Sequence, residues 1–592
     1  MSRRAILNDR TFPAQATKDG PEVIDTLTAL ISDAMRVARE AGELPAETLP
    51  EPYLERPRDA AHGDWATNVA MQSAKALGMN PRQIAEVIAR RIEGHPDIDG
   101  VEVAGPGFIN IRLSAAALQR VLVEARSAGP DFGRLSLGAG EKWQVEFVSA
   151  NPVGPMHVGH GRWAALGDAM ARVLEHAGYE VQREFYVNDA GVQMDIFAAS
   201  VAARYLELCG REVEFPENGY QGAYIVEIAR EIFEAEGERW AGVPAAERET
   251  HFKEQAYAQG LEHLKHVLHG MGVDFDVWFS ERALHEPGPD GAPSEIEAAI
   301  EALRRAGYIY ELDGATWFRS TDFDDDKDRV LKKADGAYTY FAADIAYHKD
   351  KFDRGFDRVI DLWGADHHGY IKRMEAAVAA LGHPGKLTVV IGQLVNLFRG
   401  GEVVRMSKRT GEMVTFEELL DDVGADAARY FFLRRSTDQA LDFDIQLAKE
   451  QSSDNPVFYV QYAHARICAI LRKAAGADTS DVSVDVAAAA RALIREDAPV
   501  HLLDAPAELA LMRKLAEFEE VVEVAARQLA PFKLTRYAED LAAAFHQFYT
   551  QCRVVDPEQP ELTAARLFAV DATRTALATV LGLVGVSAPE RM

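Results

Sequence analysis

The sequence predicts an α/β protein: a doubly wound, nucleotide-binding sheet split by a long insertion, with a small α+β region before it and a helical region after it. Three observations lead there. Residues 143–187 read as strand, Gly/Pro-rich loop, helix and strand; a second α/β pattern resumes near residue 358; and helical patterns run from about residue 415 to the end. Strand–helix–strand is the unit from which parallel, doubly wound sheets are built. At 592 residues the chain exceeds what one core fills, which fits three or four domains.

Along the chain, residues 1–20 are polar and are expected to be flexible. From 21 to about 125, the helix-like stretches VIDTLTALISDAMRVARE and PRQIAEVIARRIE accompany one possible strand, GFINIRLS. GPDFGRLSLGAG (129–140) is a Gly-rich boundary. WQVEFV then places Trp143, Val145 and Phe147 on one face of a strand and Glu146 on the other. Leu166, Met170, Val173, Leu174 and Ala177 fall at helical spacing, and Gly178 suits the C-terminal cap. VQREFYV follows as a strand. Residues from roughly 195 to 335 read as one mostly helical, charged insertion, after which RVIDLWGADHHGYIKRMEAAVAALGH and LTVVIGQLV restore the α/β alternation. Residues 473–500 form a loosely patterned, Ala-rich patch in the helical part.

Composition is that of an ordinary globular protein, 48% hydrophobic and 27% charged. The first twenty residues hold Arg3, Arg4, Asp9, Arg10 and Lys18 and no apolar core, so no secretory signal is expected. LFAVDATRTALATVLGLVGV carries Asp571 and Arg574 and reads as an amphipathic helix, not a membrane span. Cys209, Cys468 and Cys552 form no CxxC pair, which fits a reducing cytoplasm. Against 93 acidic residues the chain has 64 Lys and Arg, a formal charge of −29. That balance argues against a nucleic-acid partner unless the positive charge is gathered in one groove.

Two segments carry chemistry. In FVSANPVGPMHVGHGRW (147–163), Pro152 and Pro155 keep the backbone extended, so a helix starts near Met156 with His157 and His160 in its first turn. Gly159 and Gly161 remove side-chain bulk there, and a helix N-terminus offers free N–H groups to an anion. Two satisfied surface histidines in a turn are the plain alternative; zinc fits less well, because HxxH is not HExxH and no cysteine or acid sits at ligand spacing. In RGGEVVRMSKRTGEM (399–413), Gly400, Gly401 and Gly411 allow mobility while Arg405, Lys408 and Arg409 supply charge. Such a loop can close on a polyphosphate or simply be a solvated basic loop. DFDDDKD (322–328) reads either as a magnesium site or as a solvated acidic loop.

Together, HVGH at 157–160 and MSKR at 406–409 resemble the paired motifs of the class I aminoacyl-tRNA synthetases. EFVSANPVGPMHVGH, YTYFAADIAYHKDK, WGADHHGY, ADAARYFFL, NPVFYVQYAHARI and the final ERM narrow the resemblance to the arginyl-tRNA synthetase family, over nearly all of the chain after residue 50.

The resemblance implies a Rossmann-type catalytic domain over 141–414 with an insertion at about 200–335, an N-terminal tRNA-binding domain over 21–128, stem-contact helices over 415–454 and a helical anticodon-binding domain over 455–592. It implies ATP-dependent activation of L-arginine and transfer to the 3′-terminal adenosine of tRNA(Arg), with magnesium carried by ATP, no bound zinc, and a monomeric, cytoplasmic protein without a membrane partner. By similarity, His157, His160, Lys408 and Arg409 are catalytic, and Gly159, Gly364, Asp366, His367, Met406 and Ser407 contact ATP. Glu146 and Asp344, with Tyr340, Ser149 and Asn151, take the arginine; a planar cation calls for forked carboxylate acceptors. Tyr340 and Asp344 are four apart, one face of a helix. Asp344 could equally cap a helix or pair with a lysine, and His367 and His368 could cap the next helix. Tyr459, Tyr462, His464, Arg466, Tyr549 and Met592 are candidates for tRNA contact, each also readable as a core residue of a helical bundle. A class I synthetase for another amino acid, a catalytically silent tRNA-binding paralogue and a histidine-metal hydrolase are the alternatives.

Overall fold

A five-stranded, all-parallel sheet occupies the middle of the chain in the computed structural model, which describes residues 23–45, 49–57, 59–288, 291–404, 414–478 and 485–592. Its strands are β1 (Lys142–Glu146), β2 (Glu180–Val187), β3 (Val277–Ser280), β4 (Arg358–Gly364) and β5 (Leu387–Gly392), standing in the order β5-β4-β1-β2-β3. The chain runs outward from β1 through β2 to β3 and then crosses to the other side of β1 for β4 and β5. The topological switch therefore lies between β1 and β4, and a crevice opens past their C-terminal ends. Trp143, Val145 and Phe147 are buried, but so are Gln144 and Glu146 on the opposite face, because a parallel sheet is covered on both sides.

α1 (Val158–His176) follows β1, with Gly178 in the left-handed region just after it. Between β2 and β3 run α2 (Val192–Leu208), α3 (Ala223–Glu236) and α4 (Ala245–Gly270), which share a core of Phe197, Tyr205, Ile225 and Phe252. After β3, α5 (Glu295–Arg305) packs near an antiparallel sheet of Ile309–Leu312, Ala315–Phe318 and Arg329–Lys332. The stretch expected as one helical insertion is thus two segments divided by a strand of the central sheet, and the second carries a β-sheet. VWFS is a four-residue edge strand, too short and too evenly exposed to alternate. The hairpin was marked more clearly: Asp313 and Gly314 both take positive φ, the two-residue turn that Asp-Gly favours.

α6 (Tyr340–Asp353) leads into β4. After β5, Val395–Arg399 pairs with Glu402–Val403 and with Leu441–Asp444. That last strand interrupts the helices expected from residue 415; four residues flanked by helices leave almost no period to read.

The N-terminal region holds a four-stranded antiparallel sheet, ordered Leu54–Glu55, Trp65–Thr67, Phe108–Leu113, Ile98–Ala104, where one strand was expected. It packs against the C-terminal helices through ion pairs Arg56–Glu520 (2.6 Å), Asp64–Arg513 (2.7 Å) and Arg126–Asp571 (2.9 Å), and through the Phe132 and Phe518 rings. Leu567, Phe568, Val570 and Leu577 are buried in that bundle, and no helix of the described residues is long and apolar enough to cross a membrane.

Candidate active site

A cleft of about 2000 Å³ opens at the switch point. Its walls include Glu146, Ser149, Asn151, His157, His160, Tyr340, Asp344, Gly364, Asp366 and His367. These come from β1, the β1–α1 loop, α6 and the end of β4, so residues expected together from motifs far apart in sequence do meet. Met406, Ser407, Lys408 and Arg409, with Arg405, lie outside the described residues.

The β1–α1 loop reverses sharply at Val148 (φ 67°) and Ser149 (φ 43°). Two consecutive non-glycine residues in the left-handed region cost roughly 1–3 kcal/mol each. Burial of Val148 and the bonds of Ser149 hold them there: its Oγ donates to Glu146 Oε1 (2.9 Å) and accepts from the Tyr186 amide (3.1 Å). Further along, Val153 O accepts from the Tyr224 hydroxyl on α3 (2.9 Å), and Asn151 donates to Gln193 on α2 (2.7 Å). The crossover helices therefore brace the loop.

His157 is the N-cap of α1, and its Nδ1 accepts from the His160 amide (3.3 Å) while His160 Nδ1 accepts from the His157 amide (3.2 Å). The rings stack with centroids 3.7 Å apart. A neutral imidazole accepting at Nδ1 carries its proton on Nε2, so each ring is set as a donor at that nitrogen. The helix-turn role falls to Nδ1, and any donor role falls to Nε2. The glycines do something other than expected: a Cβ on Gly159 would lie 2.9 Å from the His157 ring, and one on Gly161 would lie 2.3 Å from Phe416. Both spaces are filled by protein, not left for a nucleotide. Phe416 belongs to helix Phe416–Val423, whose first amide donates to Met156 O (2.9 Å).

On the other side of the cleft, Glu184, Glu146 and Asp361 stand in register on β2, β1 and β4, a row of three buried carboxylates. α6 lies across them. Lys351 Nζ donates to Glu146 Oε2 (2.6 Å) and Asp361 Oδ1 (2.9 Å); Tyr347 donates to Glu184 Oε1 (2.6 Å); and Arg354, just past the helix, grips both oxygens of Glu184 (2.6 and 3.0 Å). His348 lies between two acceptors, the Asp344 carbonyl (2.8 Å from Nδ1) and Asp361 Oδ2 (2.9 Å from Nε2). Burial would raise Asp361, but Lys351 and His348 pull it down to about 2. Burial lowers Lys351, yet Asp361 and Glu146 outweigh it and hold the ammonium charged. Glu146 is raised by burial, with Lys351 and Ser149 opposing.

Asp344 is different. Burial raises it, and its side-chain hydrogen bond comes from a neutral group, the Tyr370 hydroxyl (2.5 Å). Behind it, burial and the charges of Asp344 and Asp189 lift Glu281 to about 7. Tyr340, one turn before Asp344, is 77% exposed at the rim. Sequence reasoning missed Tyr347, His348, Lys351, Glu184, Asp361 and Glu281. A polar stripe at helical spacing reads as a solvent face; the available clue was a single carboxylate inside each of two otherwise strand-like runs, VQREFYV and RVIDLWG.

At the end of β4, Asp366 and His367 are exposed and 3.5 Å apart. The following helix, Ile371–Ala380, has no side-chain cap, so His367 and His368 do not cap it. Trp163, also missed, lies against Gly364 and Gly392, where a Cβ would sit 3.3 and 2.1 Å from its indole, and edge-on to both histidines. In the acidic loop, Asp325 is held by both sides of the Arg329 guanidinium (2.8 Å each), and among the described residues no group of His, Cys, Asp and Glu could hold a metal.

On the C-terminal helices, the Arg466 guanidinium lies over the rings of Tyr462 (4.7 Å) and Tyr549 (5.1 Å), and Tyr459 packs against His546 beside them. His464 is not part of this surface. It is buried, its Nδ1–H donates to Pro589 O (2.9 Å), and burial pushes its pKa down to about 4; it ties down the terminal segment and offers no ring to a base. Met592 is exposed beyond Glu590, which Arg472 holds (2.7 Å).

Residues 25–113 match the family model described as arginyl tRNA synthetase N terminal domain, residues 133–452 that of tRNA synthetases class I (R), catalytic domain, and residues 460–592 the DALR anticodon binding domain. An arginine–tRNA ligase of Heliobacterium modesticaldum is 50% identical over 567 residues, covering 96% of this chain and 98% of the relative. One from Geobacillus thermodenitrificans is 49% identical, covering 93% and 96%. The solved Thermus thermophilus arginyl-tRNA synthetase aligns with a TM-score of 0.70 at 24% identity, over 96% of this chain and 100% of that one, a likeness of fold.

Proposed function

The chain belongs to the arginyl-tRNA synthetase family, and on that premise we propose how its cleft is used. It is a class I aminoacyl-tRNA ligase that activates L-arginine with ATP and transfers it to the terminal adenosine of tRNA(Arg). Asp344 supplies the counter-charge for the guanidinium, Glu146 accepts from its N–H groups, and Tyr340 lies alongside; Ser149 and Asn151 meet the backbone of the amino acid. The Nε2–H groups of His157 and His160 point their protons to the ATP phosphates, and Lys408 with Arg409 stabilises charge on the departing pyrophosphate while Met406 and Ser407 close over it. Gly159 belongs to the same turn. Gly364, Asp366 and His367 flank the adenosine, with Asp366 accepting from a ribose hydroxyl. Magnesium arrives with ATP and screens its phosphate charge. Tyr459, Tyr462, Arg466, Tyr549 and Met592 face the tRNA, the aromatic rings stacking on unpaired bases. The domains follow the spans 21–128, 141–414, 415–454 and 455–592, and the protein acts as a cytoplasmic monomer.

The observation that carries the arginine assignment is Asp344: a half-buried carboxylate in the cleft wall whose side-chain partner is a neutral tyrosine. An incoming cation completes it. Losing one charge-assisted bond of this kind is worth about 1.5–3 kcal/mol. Asp344→Asn is therefore expected to raise the KM for arginine roughly 10- to 100-fold with the KM for ATP unchanged. Equal effects on both substrates, or none on arginine, would remove Asp344 from the arginine site.

A further inference from the structure

Glu146 and Asp344 are assigned to the same substrate group, yet their surroundings differ, and the difference lies in a residue with no part in the assignment above. Lys351 stands behind Glu146 with no exposed side-chain surface, 4.2 Å from the centre of the Tyr347 ring. It takes Oε2 of Glu146, while Ser149 takes Oε1. Donors on both oxygens fix the plane of the carboxylate and leave each oxygen a further lone pair.

Charge points the same way. The row Glu184, Glu146 and Asp361 is met by Arg354, Lys351 and His348, and Arg354 also pairs with Asp350 (2.9 Å). Each carboxylate of the row has a basic partner before any substrate arrives. Asp344 stands outside those pairs, with the Tyr370 hydroxyl as its side-chain partner, and an arginine side chain brings one positive charge.

We propose that Lys351 is a positioning and specificity-determining residue: it neutralises and orients Glu146, so that Glu146 reads the direction of the guanidinium N–H groups while Asp344 alone answers its charge. This rests on the assignment of Glu146 and Asp344 to arginine. Without Lys351, Glu146 is a buried carboxylate flanked by Asp361 on β4 and Glu184 on β2, under Tyr347 and His348 of α6, with Ser149 as its remaining donor. It then takes up a proton, and one oxygen ceases to be an acceptor.

The test is tRNA-dependent pyrophosphate exchange with Lys351→Met, Glu146→Gln and the double variant. Lys351→Met is expected to raise the KM for arginine roughly 10- to 100-fold, as loss of an orienting partner does, and to leave that for ATP within about twofold. Its KM for arginine should fall as the pH is raised and Glu146 ionises again; the double variant should be no worse than the poorer single one and should lack that fall. A Lys351→Met enzyme with the normal arginine KM, or one losing both substrates alike without pH dependence, overturns the proposal. Glu146→Gln with unchanged arginine KM overturns the assignment of Glu146 and the proposal with it; a raised KM there beside normal Lys351→Met overturns the proposal alone. Because removing a buried lysine can also unfold the chain, a crystal structure of the unaltered protein with arginine gives a check free of variants. Lys351 should keep its contact with Glu146 Oε2, and its displacement by the guanidinium would contradict the proposal.

Discussion

At the residue scale, the proposed function gives His157 two jobs, one for each nitrogen. Nδ1 caps α1, and Nε2 is left carrying the proton. The two jobs separate by substitution. Asparagine is among the best N-caps, so His157→Asn should keep the melting temperature while losing most of kcat; His157→Ala should lose kcat and also about 1 kcal/mol of stability. Unfolding curves and exchange rates on both variants check this, and an active His157→Asn would mean the ring serves only the helix. The position of the histidine pair at a helix start was legible in sequence because the prolines that set it lie within a few residues, whereas the reciprocal Nδ1 caps were not read there. The Lys351 network was not. It requires Glu146, Glu184 and Asp361 to come into register from three strands far apart in the chain, and nothing local announces that register. Tyr340 and Asp344 were placed together correctly by helical spacing; His464 was not, because an aromatic on a helix looks the same in sequence whether it faces a base or Pro589.

At the scale of elements, the long helix α1 and the Gly178 after it were readable, and other helix starts carry a local signal. Ser294 with Glu297 and Thr415 with Glu418 form reciprocal caps in the spacing that marks a helix start. Strands of four residues, such as VWFS and LDFD, were not, because so short a run has no period. Contacts between elements also lay beyond the sequence. Gly161 resembles a residue that clears room for a ligand, yet its missing side chain is the seat of Phe416, which joins the first turn of α1 to the helix after residues 405–413. Gly161→Ala is expected to cost about 1–3 kcal/mol through overpacking, seen as a lower urea midpoint, and adding Phe416→Leu should recover part of it. An unchanged midpoint would show that Phe416 can move aside freely.

At the scale of the molecule, the charge of −29 is the feature least expected of a tRNA enzyme. Several cations are also spent internally: Arg162, Arg429, Arg472 and Lys351 are fully buried, and Arg429 pairs with Asp168 while donating to Met271 and Val584 carbonyls, tying α1 and the chain after α4 to the C-terminal helices. With the N-terminal ties of Arg56, Asp64 and Arg126, these contacts lock the outlying parts around the catalytic sheet. In the cleft, Glu281 and Asp361 are acidic neighbours of Asp344, and in the proposed function the substrate guanidinium answers its charge. Which amino acid this assembled site accepts is therefore the decisive property. Aminoacylation of unfractionated tRNA by the full chain, with ATP, magnesium and each standard amino acid in turn, decides it. Esterification with arginine alone is the predicted result; charging with a different amino acid, or none with arginine, would contradict it.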